Sequence, residues 1–214
     1  MTAAPPHRAP GEQALAAAAL GGILVHVAVL LAAPVVRPDV DLLRDGLSHY
    51  AVGPGAALQE AGFLALGVTC AALGAALSRR APATRLAGAL LGLASAGFAG
   101  LALFPMGRGG PMTPIGDLHL TAGTLGAALQ FAAVLAVLMR PGACAAVGVS
   151  RRAGWGLAAL AGAAAAGIQL AIWNPDLNLP EGALARLAIV PLLAWWAMVS
   201  LALLRGNIGD SDGE

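Results

Sequence analysis

The residues best suited to chemistry lie in a polar segment that follows the first long apolar stretch. Segment 41–55 reads DLLRDGLSHYAVGPG and places Asp45, Ser48 and His49 close together. Serine, histidine and aspartate are the side chains of nucleophilic catalysis, but a triad is defined by geometry, and neighbours in sequence rarely reach it. We therefore expect Asp45 and Ser48 to cap a short helix or turn, and catalysis by this segment is the alternative.

Further ionisable residues stand near the ends of other apolar stretches, namely Glu60, Asp117, His119 and Arg186. Ionisable side chains at membrane depth are costly and mark functional sites. Glu60 and Arg186 are expected at similar depths, where they form a structural ion pair or a site for a polar substrate or lipid headgroup. Asp117 is expected to cap a helix. His119 is interpreted as a proton shuttle, a metal ligand or an interfacial residue.

A zinc site is a weaker alternative, which would use His49, His119 and a carboxylate such as Asp117 or Asp45. Catalytic zinc takes three protein ligands and keeps one position open. The sequence lacks the close ligand spacing that would favour such a site. No cofactor or metal is therefore predicted, and no residue is assigned a catalytic role.

Long apolar stretches must position these side chains. The chain is 58% hydrophobic and 11% charged, whereas a soluble domain carries about 25% charged residues. A membrane-spanning helix needs about 20 mostly apolar residues, and the stretches that meet this test are 14–36, 57–77, 86–104, 118–139, 153–173 and 187–204. None has the charged face of a soluble helix. The sequence predicts an all-α polytopic membrane protein with a six-transmembrane-helix bundle over 14–204, between disordered tails 1–13 and 205–214.

The arginines orient this bundle. Eight of the 12 basic residues fall in the tails and in the second and fourth connections, while Arg37, Arg44, Arg108 and Arg186 lie on the other side. Basic residues in short loops favour the cytoplasm. Both termini are therefore predicted to be cytoplasmic, in a cell (plasma or inner) membrane, with the first, third and fifth connections facing outward. The net charge of +1 does not suggest a nucleic acid, so the predicted partners are membrane lipids.

Small and amide residues inside the stretches predict helix contacts. His26 is expected to form a hydrogen bond to a neighbouring helix, and Gln130 and Gln169 are expected to bond across helices. The third stretch has small residues at every fourth position, which predicts a face for helix packing within the monomer, with contact between two copies of the chain as the alternative: Gly88, Gly92, Ala96 and Gly100.

Two segments and one further residue carry a family resemblance. Segment 44–67, RDGLSHYAVGPGAALQEAGFLALG, contains Asp45, Ser48, Gly62 and Phe63. Segment 104–123, FPMGRGGPMTPIGDLHLTAG, contains Phe104, Pro105 and His119, and Arg186 opens the last stretch. In this pattern the chain resembles an uncharacterised family catalogued as domain of unknown function 998.

The resemblance covers roughly 15–204 and implies a six-helix membrane protein of bacteria or archaea, without an established activity. The family usually has an acidic residue soon after Phe-Pro. Here Met106, Gly107 and Arg108 follow instead, so that carboxylate is missing unless Asp117 replaces it.

Three functions follow from these residues. The first is an outward-facing polar pocket that binds a lipid or small polar ligand. Its candidate lining is Asp45, Ser48, Glu60, Asp117, His119 and Arg186. The second is a membrane-embedded lipid-modifying enzyme that uses the same residues, including a metal-dependent hydrolase. The third is a small transporter, which the sequence disfavours because it shows no internal repeat of the kind many transporters have.

The predicted orientation can be tested with reporters fused after Glu214. A fluorescent protein at this position should fluoresce and an alkaline phosphatase should stay inactive, because both report the compartment that contains the carboxyl terminus. The same reporters inserted in the first connection should give the reverse result. An active phosphatase after Glu214 would contradict the prediction.

Overall fold

The structure, a computed structural model, describes residues 11–107 and 113–206. Most of the two predicted tails, and Arg108, lie outside these residues. The helices are α1 Glu12–Val36, α2 Ala56–Arg80, α3 Arg85–Leu103, α4 Pro114–Met139, α5 Ala143–Ala146, α6 Arg151–Trp173 and α7 Glu181–Arg205. Short 3-10 helices occupy Leu47–Ala51, Pro82–Thr84 and Pro175–Leu177.

Six helices in the described part of the chain are long and apolar enough to cross a membrane. They are all the helices except α5, and each overlaps one of the six predicted stretches, although α4 begins at Pro114 and α7 at Glu181, several residues before the predicted starts. Their outer surfaces carry large exposed apolar side chains such as Leu31, Val35 and Leu93, which water would not favour. The prediction of an all-α polytopic membrane bundle is confirmed.

The six long helices form a closed ring of neighbours. Helix α2 packs between α1 and α3, α3 packs on α4, and α7 packs on both α1 and α6. A smaller contact between α4 and α6 closes the ring. The most enclosed helix is α2, whose apolar window is 67% buried, so residues at its amino end are placed beside the interior.

The small residues of α3 do not form one packing face. A Cβ atom on Gly88 would lie 2.7 Å from the Gly74 carbonyl of α2, and one on Gly100 would lie 2.8 Å from Ala122 Cβ of α4. Gly92 has no neighbour within 4 Å of its Cβ position, and Ala96 is exposed. The predicted packing of this row within the monomer is confirmed for Gly88 and Gly100. The predicted single face is wrong, because a four-residue step rotates by about 40° beyond a full helical turn and carries the row from one neighbour to the other.

Three polar residues were predicted to form hydrogen bonds between helices, and one of them does so. The expected helix-to-helix bond of His26 is confirmed, since Nδ1 lies 2.8 Å from the Gly62 carbonyl oxygen of α2. The expected cross-helix bonds of Gln130 and Gln169 are wrong. Gln169 lies on the exposed face of α6, and Nε2 of the buried Gln130 has no hydrogen-bond partner among the described residues.

The two ends of the bundle have different chemistry. We call the end formed by loop L1 (37–55), by the described residues 104–107 and 113 of loop L3 and by loop L5 (174–180) the L1 end. At the opposite end Arg80 forms an ion pair of 3.2 Å with Glu12, and its Nε donates to the Ala146 carbonyl at 2.9 Å. This pair ties α1, α2 and α5 together away from the candidate site residues.

The α2–α3 contact predicts that Gly88→Ala destabilises the bundle. The added methyl group would meet the backbone of Gly74 and the Ser78 nitrogen at 2.7 and 2.8 Å, so the helices must separate. A loss of about 1–3 kcal/mol is expected from overpacking, measured as a lower thermal transition in detergent. Gly92→Ala is the matched control, because its Cβ position is open and alanine favours a helix by about 0.5–1 kcal/mol. Equal transitions for the two variants would contradict the prediction.

Candidate functional site

Loop L1 is held in a compact fold by its own side chains. The Arg37 guanidinium pairs with Asp39 and donates to the Val52 carbonyl, so it joins the start of the loop to its end. The hydrogen bond to Asp39 raises the pKa of Arg37 above its ordinary value. Asp45 accepts a bond of 2.8 Å from the Asp41 nitrogen, which confirms that Asp45 closes a turn.

The Asp41 side chain accepts hydrogen bonds from the backbone in the middle of the same loop. Its Oδ1 accepts from the backbone nitrogens of Leu43 at 2.8 Å and Arg44 at 3.1 Å. These bonds favour the ionised carboxylate and lower the pKa of Asp41 below its ordinary value. The ionised form of Asp41 therefore helps to fix the backbone of L1.

Loop L1 is fastened to the start of α7. The Ala183 nitrogen donates to the Leu43 carbonyl at 2.9 Å, and Arg186 Nη1 donates to the Leu42 carbonyl at 2.6 Å. Arg186 Nη2 lies 3.3 Å from the Tyr50 hydroxyl, and its guanidinium carbon lies 5.7 Å from the centre of that ring. Gly182 permits this approach, because a Cβ there would lie 2.7 Å from the Leu42 carbonyl.

The expected ion pair between Glu60 and Arg186 is wrong. Within the described residues the ion pairs are Arg37–Asp39 and Arg80–Glu12. Arg186 instead forms hydrogen bonds with backbone carbonyls and with Tyr50. Glu60 is half-buried on α2 beside the exposed residues Ala57 and Ala61. Arg186 thus holds the polypeptide of L1 and not a neighbouring helix.

Loop L1 is fastened to α4 through a serine and a histidine. Ser48 Oγ lies 2.8 Å from His119 Nε2, and His119 Nδ1 lies 2.7 Å from the Phe104 carbonyl oxygen. A carbonyl oxygen only accepts, so Nδ1 carries the hydrogen, and in the neutral ring Nε2 accepts the Ser48 hydroxyl proton. Phe63 of α2 packs edge-on against the imidazole, with ring centres 6.1 Å apart.

This arrangement corrects one expectation. Ser48 does not cap a helix or turn, because the 3-10 helix Leu47–Ala51 begins after Gly46 without a side-chain cap. His119 is completely buried, and both of its ring nitrogens have hydrogen-bond partners. The Phe104 carbonyl is a partner that the sequence did not indicate, since a backbone group carries no signal of its own.

Asp117 does not cap α4. Thr113 does so, because its Oγ1 accepts from the Gly116 nitrogen at 3.1 Å, and Pro114 occupies the first helical position. Proline at that position has no N–H to satisfy. Asp117 is exposed in the first turn, where its charge complements the helix dipole.

The zinc alternative receives no support from the part of the chain that the structure describes. No three histidine, cysteine, aspartate or glutamate side chains converge there into a group that could hold a metal ion. His49 is exposed and its Nδ1 lies 3.2 Å from the Gly46 carbonyl. Both nitrogens of His119 already have partners.

Sequence reasoning missed Tyr50 and Gln59. Tyr50 is buried at 1% exposure and contacts Arg186. Gln59 is also 1% exposed, and neither its Oε1 nor its Nε2 has a hydrogen-bond partner among the described residues. The sequence did contain a signal for Gln59. A polar amide inside an apolar stretch, one helical turn before Phe63, is as unusual there as the carboxylate of Glu60.

A cleft of about 170 Å³ also opens at the L1 end, lined by Arg44, Ala171, Asn178, Leu179 and Glu181. Arg44 Nη1 donates to Asn178 Oδ1 at 3.0 Å, which connects L1 to L5. The cleft does not include Ser48 or His119.

The candidate residues therefore differ in whether the structure brings them into contact with one another. Ser48 and His119 are in direct contact, and Arg186 joins them through Tyr50 on the 3-10 helix that carries Ser48. Asp45 supports the backbone of L1. No ion pair joins Glu60 or Asp117 to another described residue.

Fold and site together define a multi-pass membrane protein with a polar, hydrogen-bonded cluster at one end of the bundle. The chain belongs to the family described as protein of unknown function (DUF998), whose model matches residues 19–202. The family resemblance is thereby confirmed. Searches of curated proteins and of solved structures gave no match. Three residues that carried the resemblance, Ser48, Phe104 and His119, form one hydrogen-bonded chain.

The Asp41 cap predicts a pH-dependent loop. A lowered pKa means that the ionised carboxylate stabilises the fold above the ordinary value of 3.8, and that this contribution is lost as the pH falls through the lowered pKa. Asp41→Ala should therefore lower the protection factors of the amide hydrogens over 41–46 at neutral pH. Acidification through the lowered pKa should lower the same protection factors in the wild type, once the slower intrinsic exchange in acid is taken into account. Asp176→Ala, which changes an exposed aspartate of L5, is the control. Unchanged exchange in Asp41→Ala would refute this role.

Proposed function

We propose that the protein binds the anionic headgroup of a membrane lipid at the L1 end, with Arg186 as the principal contact. The observation that carries the proposal is a half-buried guanidinium whose hydrogen-bond partners are the Leu42 and Gly182 carbonyls and the Tyr50 hydroxyl. None of these partners carries a negative charge. A cation at membrane depth is costly without a counter-ion, and an anionic group supplies one.

The surroundings of Arg186 favour a lipid as the source of this anion. Arg186 lies in the second turn of α7, near the membrane boundary of that span. Leu187 and Val190, on the following positions of α7, are about half exposed, at 49% and 52%. A headgroup at Arg186 would place an acyl chain along this apolar surface, which gains from its burial.

The donors that remain on Arg186 suit a phosphate or carboxylate. Its hydrogen bonds to described residues come from Nη1 and Nη2, so Nε is available to an anion. Guanidinium groups bind such anions through paired N–H donors. Arg44, exposed in L1, adds positive charge at the same end.

The proposal includes a cell membrane with both termini in the cytoplasm, so that the L1 end contacts the outer leaflet. Transport is not proposed. Transporter sites are commonly built on broken helices, whereas the six spans here are continuous helices.

The binding proposal can be tested by native mass spectrometry of the purified chain with phosphatidylglycerol and phosphatidylcholine. The wild type should prefer phosphatidylglycerol, and Arg186→Ala should weaken its binding roughly ten- to hundredfold, because charge-assisted hydrogen bonds contribute about 1.5–3 kcal/mol. Arg186→Lys keeps the charge and should retain part of the preference.

Arg85→Ala is the matched control, because it removes an exposed arginine at the opposite end. A titration with inorganic phosphate distinguishes a free anion from a lipid, since only a free-anion site would be saturated without an acyl chain. Equal lipid binding by wild type and Arg186→Ala, with equal thermal transitions, would refute the proposal.

A further inference from the structure

The Ser48–His119 contact has the geometry of an activated nucleophile. The distance from Oγ to Nε2 is 2.8 Å, within the range of about 2.6–3.2 Å in which a base activates a hydroxyl group. The bond from Nδ1 to the Phe104 carbonyl selects the tautomer whose free lone pair faces Ser48. The edge-on contact with Phe63 and complete burial restrict rotation of the ring.

We propose that Ser48 and His119 form a nucleophile–base pair that cleaves a carboxylic ester of an amphiphile embedded in the membrane. This activity goes beyond headgroup binding and does not depend on it. Ser48 is half-buried at the L1 end. On α4, Ile115 and Leu118 precede His119 in the chain and are each 50% exposed, so apolar surface suited to an acyl chain adjoins the base.

The chemistry balances with water as the co-reactant. Ser48 Oγ attacks the ester carbonyl carbon while its proton passes to His119 Nε2. The tetrahedral intermediate expels the alcohol, which takes this proton, and Ser48 is left acylated. Water then gives a proton to Nε2 and its oxygen to the acyl carbon, and the carboxylic acid is released as Ser48 regains its proton.

The third group of this arrangement is a carbonyl and not a carboxylate. In a serine–histidine–aspartate triad the carboxylate fixes the tautomer and also stabilises the imidazolium. The Phe104 carbonyl fixes the tautomer but has no net charge, so it stabilises the imidazolium less. Ester cleavage by this pair should therefore be slower than by a complete triad.

Gln59 is assigned as the hydrogen-bond donor to the ester carbonyl oxygen. It precedes Phe63 by one helical turn, so both lie on the same face of α2, and Phe63 contacts His119. Its buried amide has no partner for either polar atom among the described residues. A buried amide left without partners is costly, and a bound polar ligand would relieve that cost.

A neutral alkyl fluorophosphonate tests the pair, because it modifies activated serines and needs no anionic headgroup. Purified full-length protein in detergent should be labelled at Ser48, as located by peptide mass spectrometry. Ser48→Ala should abolish that label. His119→Gln should slow labelling on the order of 10²- to 10⁴-fold, the usual contribution of a general base. Gln59→Leu should slow it less than His119→Gln.

His49→Ala is the matched control, because it removes the exposed histidine next to Ser48 and should label like the wild type. Thermal transitions establish which variants are folded. Absence of label on Ser48 in folded wild-type protein would overturn the proposal, whatever the variants do. Equal labelling rates in wild type and folded His119→Gln would overturn it too.

Liposomes of phosphatidylglycerol test the class of ester. Wild-type protein in these liposomes should release fatty acid, and Ser48→Ala should not. Labelling without such release would overturn the assignment of a lipid ester as substrate. The labelling test on Ser48 is independent of the Arg186→Ala result, because the fluorophosphonate probe is neutral.

Discussion

Hydrocarbon offers no hydrogen-bond partners, so a polar loop at the membrane boundary must be satisfied by the protein itself. Loop L1 meets this constraint by two attachments. Arg186 of α7 donates a hydrogen bond to the Leu42 carbonyl on one side, and His119 of α4 accepts a hydrogen bond from Ser48 on the other. Without them, the half-buried hydroxyl group of Ser48 and guanidinium group of Arg186 would lose partners that the protein provides at the membrane boundary. The candidate site is therefore also what closes this end of the bundle.

The helix ring explains why these attachments reach L1 from opposite sides. Helices α4 and α7 both begin at the L1 end, and α2, which packs between α1 and α3, begins there too. Tight glycine contacts such as Gly74 with Gly88 hold α2 close to α3. The amino end of α2 then lies under L1 and brings Phe63 to the His119 ring. Packing of α2 against its neighbours thus helps to position the hydrogen bonds at the L1 end.

The two ends of the bundle solve the problem of buried charge differently. At the opposite end, Arg80 has the carboxylate of Glu12 as its partner, and both side chains are largely buried. At the L1 end, Arg186 has only neutral partners among the described residues. An ion pair that is already complete leaves nothing for a ligand to neutralise. Arg186 has no anionic partner among the described residues, whereas Arg80 has one. This difference makes Arg186 a candidate binding residue and Arg80 part of a structural contact.

The amino-acid sequence by itself determined the architecture. Six long apolar stretches without a charged face specify six membrane helices, because hydrocarbon selects for length and apolarity, which are properties of a contiguous segment. The segments around Ser48 and His119 likewise indicated the family and the polar end of the molecule. The turn closed by Asp45 and the interhelical bond of His26 also follow from local residue type.

Only the tertiary structure decided which side chains meet. Ser48 bonds to His119 and not to the neighbouring His49. Arg186 bonds to a carbonyl of L1 and forms no ion pair with Glu60. Thr113, and not Asp117, caps α4. These choices depend on helix rotation and on the path of L1. Neither quantity leaves a periodic signal in the sequence, because both are set by the packing of helices that are distant along the chain.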